Sequence, residues 1–332
     1  MMKSSSMRRL DQTLRTVAPK DVIVSMIGES GTGKEVLARR VHELSERRHG
    51  PFIPINCAAI PDSLFESELF GHEKGAFTGA SERVKGKVEA ASGGTLFLDE
   101  IGEMPLGMQA KMLRFLENRR FMRVGGSVKI QADIRLVFAT LRPLEEDVRN
   151  GRFRADLYYR MQGITIRVPP LRERQADIPQ LVDHFLEMLS ARHGNPPPHV
   201  GRRIRDAFQR YSWPGNVREL RNVLEMLCLL RAGKTVRPVD IPEPLLSELR
   251  DAPMADLQTL TLQLDQPLDS MIEQITAAVL AAEGGNRTRA AQRLGISLRT
   301  IQRHVAAEGS PANPAPARWR SRVRRQRVAV PA

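Results

Sequence analysis

Residues 22–35 read VIVSMIGESGTGKE. An apolar, β-branched run turns through a glycine-rich stretch into an amphipathic pattern, EVLARRVHELSER. Gly28, Gly33 and Lys34 stand at the G-x-x-x-x-G-K spacing of a phosphate-binding loop. Glycines are required there because backbone N–H groups must converge on phosphate oxygens without interference from Cβ atoms. The helix that follows adds the positive end of its dipole. The residues expected to contact the nucleotide are Gly28, Glu29, Ser30, Gly31, Thr32, Gly33, Lys34 and Glu35, with Lys34 reaching the β- and γ-phosphates. The usual Ser or Thr after the lysine is replaced by Glu35.

The strands around this loop point the same way. FIPINC (52–57), GTLFLDE (94–100), IRLVFAT (134–140) and GITIRVP (163–169) are further apolar runs bounded by Gly, Pro or charge. Such runs suit buried parallel strands, and helical patterns such as GMQAKMLRFLEN lie between them. The fold class expected is α/β, a parallel sheet with helices on both faces. GGTLFLDE ends in two acids. Asp99 is placed to hold Mg²⁺, directly or through water, and Glu100 to polarise an attacking water.

Composition bounds the rest. The chain has 332 residues, 41% of them hydrophobic, and no run of eighteen apolar residues. MMKSSSMRRL is too polar for a signal peptide, and two distant cysteines, Cys57 and Cys228, suit a reduced, cytoplasmic protein with no membrane association. The net charge of +13 is uneven: residues 284–332 hold eleven arginines and one acid, Glu308, so the other 283 residues carry about +3. A nearly balanced body with a basic end suggests that the end meets a polyanion. Five segments are expected: an alternating α/β subdomain over 1–172, a small helical subdomain over 173–240, a linker over 241–267, a second helical domain over 268–308 and a basic disordered tail over 309–332.

Between the phosphate loop and the acidic strand lies FGHEKGAFTGASERVKGK, which holds one aromatic residue in a polar, glycine-containing stretch. Together, GESGTGKE, ELFGHEKGAFTGA, GGTLFLDE, FRADLYYR, PPLRER and WPGNVREL resemble the AAA+ module of bacterial enhancer-binding proteins. These are NtrC-type activators of RNA polymerase carrying sigma-54. The resemblance runs from about residue 4 to 308. It implies an AAA+ P-loop NTPase, with its ATPase subdomain over 1–172 and its lid over 173–240, ATP and Mg²⁺ as cofactors and a ring of subunits, expected to be a hexamer. It also implies that Gly75, Ala76, Phe77, Thr78, Gly79 and Ala80 cap a nucleotide-driven loop that touches sigma-54 holoenzyme. Phe77 is the contact aromatic, Thr78 supports the loop and the partner contact, and Gly75 and Gly79 allow its tight backbone. By the same resemblance Asn56 holds the catalytic glutamate, Arg154 and Arg160 reach into a neighbouring subunit's nucleotide, and Arg218 is the lid's sensor. Read alone, Asn56 after a strand is a capping residue. Thr140 is followed by Leu141 where the family commonly has Asn. Only 27 residues precede Gly28. That leaves no room for a receiver or ligand-sensing domain, and the short segment that helps cradle the adenine is expected to be missing. Control by a separate regulatory protein or a truncated start follows from that expectation.

The stretch LDSMIEQITAAVLAAEGGNRTRAAQRLGISLRTIQRHVAAEG reads as three helices with caps at Asn286 and Ser297 and a stop at Gly295. It resembles the Fis-type helix-turn-helix domain that closes these activators, here over 268–308, with Leu294, Ile296 and Ile301 expected in its core. Arg299, Thr300, Gln302 and Arg303 would face the bases of double-stranded DNA, and Arg287 and Arg289 its phosphates. The tail RWRSRVRRQR is either a basic arm or non-native sequence read past a frame change. The function implied is an ATP-driven activator that binds upstream DNA. The rival is a DNA-binding repressor that uses ATP only to set its oligomeric state, and such relatives typically lack GAFTGA. A helicase or protein-unfolding machine would not be expected to carry a Fis-type domain.

Overall fold

The computed structural model describes residues 3–141, 143–243, 245–247, 262, 265–283 and 285–301. The chain divides into two compact units, 1–252 and 253–332. In the first unit the strands are, in chain order, β1 (Val24–Ile27), β2 (Phe52–Asn56), β3 (Gly71–His72), β4 (Val84–Lys85), β5 (Thr95–Asp99), β6 (Arg120–Phe121), β7 (Ile130–Gln131), β8 (Arg135–Thr140) and β9 (Ile164–Arg167). Its helices are α1 (Ser5–Val17), α2 (Lys34–Glu43), α3 (Asp62–Phe70), α4 (Lys87–Ala90), α5 (Leu106–Asn118), α6 (Glu145–Arg149), α7 (Ala155–Met161), α8 (Ile178–His193), α9 (Arg202–Arg210) and α10 (Asn216–Leu230).

Five strands form one parallel sheet in the order β2-β5-β8-β1-β9. Alternation along each strand sends side chains to opposite faces. Phe97 and, on β8, Val137 and Ala139 join Leu10 and Leu14 of α1 and Leu37 and Val41 of α2. Leu96, Leu98, Leu136 and Phe138 face the other way, onto Phe65 and Leu69 of α3, Met112 and Phe115 of α5 and Leu157 of α7. Parallel order brings every strand's C-terminal end to one edge, where β1 runs into the glycine loop and β5 ends at Asp99.

Ahead of the loop, α1 packs on the sheet. Met7, Leu10, Leu14 and Val17 recur at helical spacing and are buried on α2 and the sheet. Ser4 caps the helix by accepting from the Met7 N–H. At the far end the buried guanidinium of Arg135 donates to the Val17 carbonyl at 3.2 Å and to that of Ala18.

The lid is helical, with α8, α9 and α10 around Trp213. Trp213 is fully buried, its indole N–H donates to the Phe208 carbonyl at 2.7 Å, and its ring meets Phe208 and Tyr211 edge-on. The lid core runs past Asp240: Ile241 and Leu245 are buried in it, so these residues pack with the lid rather than in the linker expected from 241.

The second unit holds α11 (Leu268–Ala282) and α12 (Arg287–Leu294), with a further helix described over 298–301. Asn286 accepts from the N–H groups of Thr288 and Arg289, Gly295 closes α12 in the left-handed region, and the Ser297 hydroxyl accepts from the Thr300 N–H. Ala290, Ala291 and Ile301 are buried, with Leu294 packed against them. Ile296 is not part of this core: it sits in the turn after Gly295 and stays exposed. Among the described residues no helix is long and apolar enough to cross a membrane.

Replacing Trp213 by Ala removes a fully buried indole and leaves the Phe208 carbonyl without its donor. Urea unfolding of this variant should show the lid destabilised by about 3–5 kcal/mol; a midpoint equal to the parent's would show that the lid core does not depend on this ring.

Candidate functional site

The loop between β1 and α2 is built by backbone contacts. The Gly28 N–H donates to the Thr140 carbonyl at 3.2 Å, which anchors the loop's start to the end of β8. The Thr32 hydroxyl donates to the Glu29 carbonyl at 2.7 Å, and Gly33 caps α2 with φ +95°. Lys34 is buried and its ammonium donates to the loop's own carbonyls, Gly28 at 2.8 Å and Glu29 at 3.3 Å. Burial pushes its pKa below the ordinary value. Glu100 and Asp99 oppose that shift and Arg218 adds to it, so these four charges act on one volume. Glu35 points away, exposed, and pairs with Arg39 one turn on at 3.6 Å.

Asp99 ends β5 and accepts from the Glu100 N–H at 3.0 Å. Glu100 sits in the left-handed region at φ +54°, uncommon for a side chain of its size. Burial raises its pKa, with Lys34 opposing and the charge of Asp99 adding. Asn56 is the residue opposite Asp99 across the β2–β5 pair, and its side chain accepts from the Ala58 N–H at 3.0 Å. Its described contact is thus the cap read from its position after a strand. Thr140 ends β8 opposite Ile27, beside the loop.

The lid closes directly on the loop. Arg218, on the first turn of α10, donates to the Ser30 hydroxyl at 2.7 Å, and the Val217 N–H donates to the Gly31 carbonyl at 3.0 Å. Gly31 permits this approach: a Cβ there would lie 2.4 Å from the Gly215 carbonyl oxygen, and its φ is +73°. Three residues to which no role was attached in sequence complete the grip. Arg172 forms a two-pronged ion pair with Glu29, at 2.6 and 2.8 Å. Asn216 donates to Glu29 at 3.1 Å and to the Ser30 carbonyl at 3.0 Å. Buried Arg174 donates to the Thr32 carbonyl at 2.6 Å. The Arg172 hydrogen bonds, with help from Asn216, pull the Glu29 carboxyl down to about 2. Two arginines spaced by one residue in PPLRER and a Gly-Asn step before a helix were the available signals.

Other expected residues lie apart from the loop. Arg154 and Arg160 are exposed on and beside α7; Arg154 pairs with Asp156 at 2.7 Å, and Arg160 acts on the charge of Arg119. The stretch 75–80 caps a hairpin whose β3 and β4 pair between α3 and α4. The Gly75 N–H donates to the Ala80 carbonyl at 2.8 Å, Gly75 and Gly79 have positive φ, and Ala80 is buried at the base. Phe77 is 41% exposed, with its ring edge-on to His72 at 4.9 Å, and Thr78 is exposed beside it. Ala76 touches the adjoining segment, where a Cβ on Gly125 would lie 2.8 Å from it. In the second unit Arg287, Arg289 and Arg299 are exposed and Thr300 is half-buried; Gln302, Arg303 and the tail from 309 lie outside the described residues.

The family model of the sigma-54 interaction domain matches residues 1–167, half of the chain. The chain belongs to this family. Models of the AAA+ ATPase lid domain and of the Fis family of bacterial regulatory proteins match residues 172–257 and 274–305. The fold is therefore that of an AAA+ P-loop NTPase with a helical lid and a C-terminal helix-turn-helix unit. The chain is 44% identical over 299 residues to the transcriptional regulatory protein ZraR of Klebsiella oxytoca, and 43% identical over 307 residues to the regulatory protein AtoC of Escherichia coli. These alignments take in 90% and 91% of this chain and 66% of each relative, so the chain spans just under two thirds of their length. NtrX from Brucella abortus in complex with ATP superposes with a TM-score of 0.69 at 33% identity, over 93% of this chain and 69% of that one.

The loop geometry separates two glycines of this family site. Both need positive φ, which costs an alanine about 1–2 kcal/mol. Only Gly31 also faces backbone, since nothing lies within 4 Å of a Cβ on Gly33. Denaturation of Gly31→Ala and Gly33→Ala should show the larger loss for Gly31→Ala, with about 1–3 kcal/mol of strain. Equal losses would contradict the close lid contact.

Proposed function

We propose that this chain is an ATP-hydrolysing transcriptional activator that binds upstream DNA and remodels the closed complex of sigma-54 RNA polymerase. The observation that carries the reading is the hairpin over 71–85. It rises between two helices of the nucleotide domain and presents Phe77 and Thr78 to solvent. The hairpin lies within the matched sigma-54 interaction domain, which supports its exposed tip as the partner contact.

The glycine loop and Lys34 suit the phosphates of ATP, since Lys34 already satisfies loop carbonyls where phosphate oxygens would compete for it. For Mg²⁺, Asp99 is one carboxylate at a strand end. Mg²⁺ takes one or two carboxylates and completes its shell from substrate phosphates and water, so Asp99 beside bound ATP would suffice to hold it. Bound Mg²⁺ would neutralise charge on the phosphate oxygens.

In hydrolysis a water attacks the γ-phosphorus in line with the bridging oxygen that leaves with ADP. Glu100 orients and polarises that water, and Asn56 stands opposite Asp99 at the next strand end. Lys34 and Arg218 stabilise the charge that spreads over the transferred group. Thr140, at the loop's start, is the residue placed to respond to the γ-phosphate. Arg154 and Arg160 are exposed and remote from their own loop, as residues that complete a neighbour's site in a ring must be. A hexamer is the assembly we assign. Hydrolysis then moves residues 75–80 against sigma-54, while the C-terminal unit holds DNA through Arg287, Arg289, Arg299 and Thr300; Gln302 and Arg303, assigned to the same role from the sequence, lie outside the described residues.

Two measurements test this. Thr78→Ala should hydrolyse ATP at the parent's rate and melt no promoter; loss of both activities would contradict a separate coupling role. Arg154→Ala or Arg160→Ala should lower kcat by roughly 10³-fold. Mixing Arg154→Ala with Lys34→Ala subunits should restore part of the activity, because an intact loop then meets an intact arginine across a boundary. No recovery in the mixture would contradict a site shared between subunits.

A further inference from the structure

Glu29 lies inside the phosphate loop, yet its carboxylate is turned to the lid. Both its oxygens are engaged by Arg172, and Asn216 adds a third donor to one of them. Asn216 is fully buried, adopts a left-handed backbone at φ +52°, and bonds three segments at once. Its amide donates to Glu29 and to the Ser30 carbonyl, and its oxygen accepts from the Leu171 N–H at 2.7 Å. The Glu29–Arg172 pair is different in kind, since the two side chains are 43% and 44% exposed. Buried hydrogen bonds of the Asn216 type are costly to open. A half-exposed ion pair is cheap to open and is weakened by salt.

We propose that Glu29 and Arg172 form a reversible latch that holds the lid over bound nucleotide, with Asn216 as the fixed point about which it opens. The inference rests on the reading that the loop binds nucleotide. Residues 29 to 32 each carry a bond to the lid or its entry segment: Glu29 to Arg172, Ser30 to Arg218 and Asn216, Gly31 to Val217, and Thr32 to Arg174. Release of nucleotide from the loop is then coupled to separation of lid and loop, and the Glu29–Arg172 pair is the charged bond at the solvent-exposed edge of that contact, beside the exposed Arg218–Ser30 bond. Glu29 and Arg172 are positioning residues here: they act on the path of the nucleotide and not on the reacting phosphorus. Because Arg172 keeps Glu29 ionised down to about pH 2, the latch stays charged throughout the working pH range.

The test is release of a fluorescent ADP analogue from the full chain, followed by stopped flow for the parent, Glu29→Gln, Arg172→Gln and the double variant. Each single variant should release the analogue up to about fivefold faster, the range of an exposed ion pair. The double variant should be no faster than either single one, because one interaction is lost in all three. Raising salt should accelerate release from the parent and leave the variants' rates nearly flat. A purely structural role would lower thermal stability without this salt signature. Release rates equal to the parent's, multiplying effects in the double variant, or equal salt dependence in all four chains would each overturn the latch. A parent that binds no analogue would overturn the nucleotide reading and the latch with it.

Discussion

The contact between the lid and the phosphate loop at Gly31 is the constraint on which the site depends. Without a side chain there, the carbonyl of Gly215 comes within 2.4 Å of where a Cβ would stand. That approach lets the start of α10 deliver Asn216, Val217 and Arg218 to consecutive loop residues. The parallel sheet supplies the other side of the same volume, because β5 ends at Asp99 and Glu100 while the loop after β1 leads to Lys34 at the start of α2. Burial then sets the charge balance. It disfavours the ammonium of Lys34 and the carboxylate of Glu100, and each partly restores the other.

The exposed hairpin is tied to this site through packing. Phe65, Leu69 and Phe70 of α3 and Val88 after β4 lie in one core with Leu96 and Leu98 of β5, the strand that ends at Asp99. A close-packed interior transmits displacement rather than absorbing it. Movement at the end of β5 therefore has a physical route to Phe77. The N-terminal helix links the lid to the sheet in a similar way: the Ser4 N–H and hydroxyl donate to Asp177 at 2.7 Å, while Arg135 holds the helix's far end.

Much of this was legible in the residues, for stated reasons. The five sheet strands could be read because buried parallel strands are continuous apolar runs, and the loop because its glycines and lysine have fixed spacing. The 75–80 hairpin owed its reading to family resemblance, since no periodicity marks it. α1 was legible in principle through the spacing of Met7, Leu10, Leu14 and Val17, but its mean polarity concealed it. The Glu29–Arg172 pair was not legible, because the partners are 143 residues apart and charge alone does not choose among so many arginines. Ile296 shows the limit at small scale: an apolar residue in a turn has no face to bury.

The central claim is that nucleotide turnover in this chain is converted into promoter opening. The direct measurement is melting around the start site of a supercoiled promoter, with purified protein, sigma-54 holoenzyme and Mg²⁺, with and without ATP. The account predicts melting with ATP and none when ATP is replaced by ADP. Steady hydrolysis in the same tube with a promoter that stays closed would contradict it.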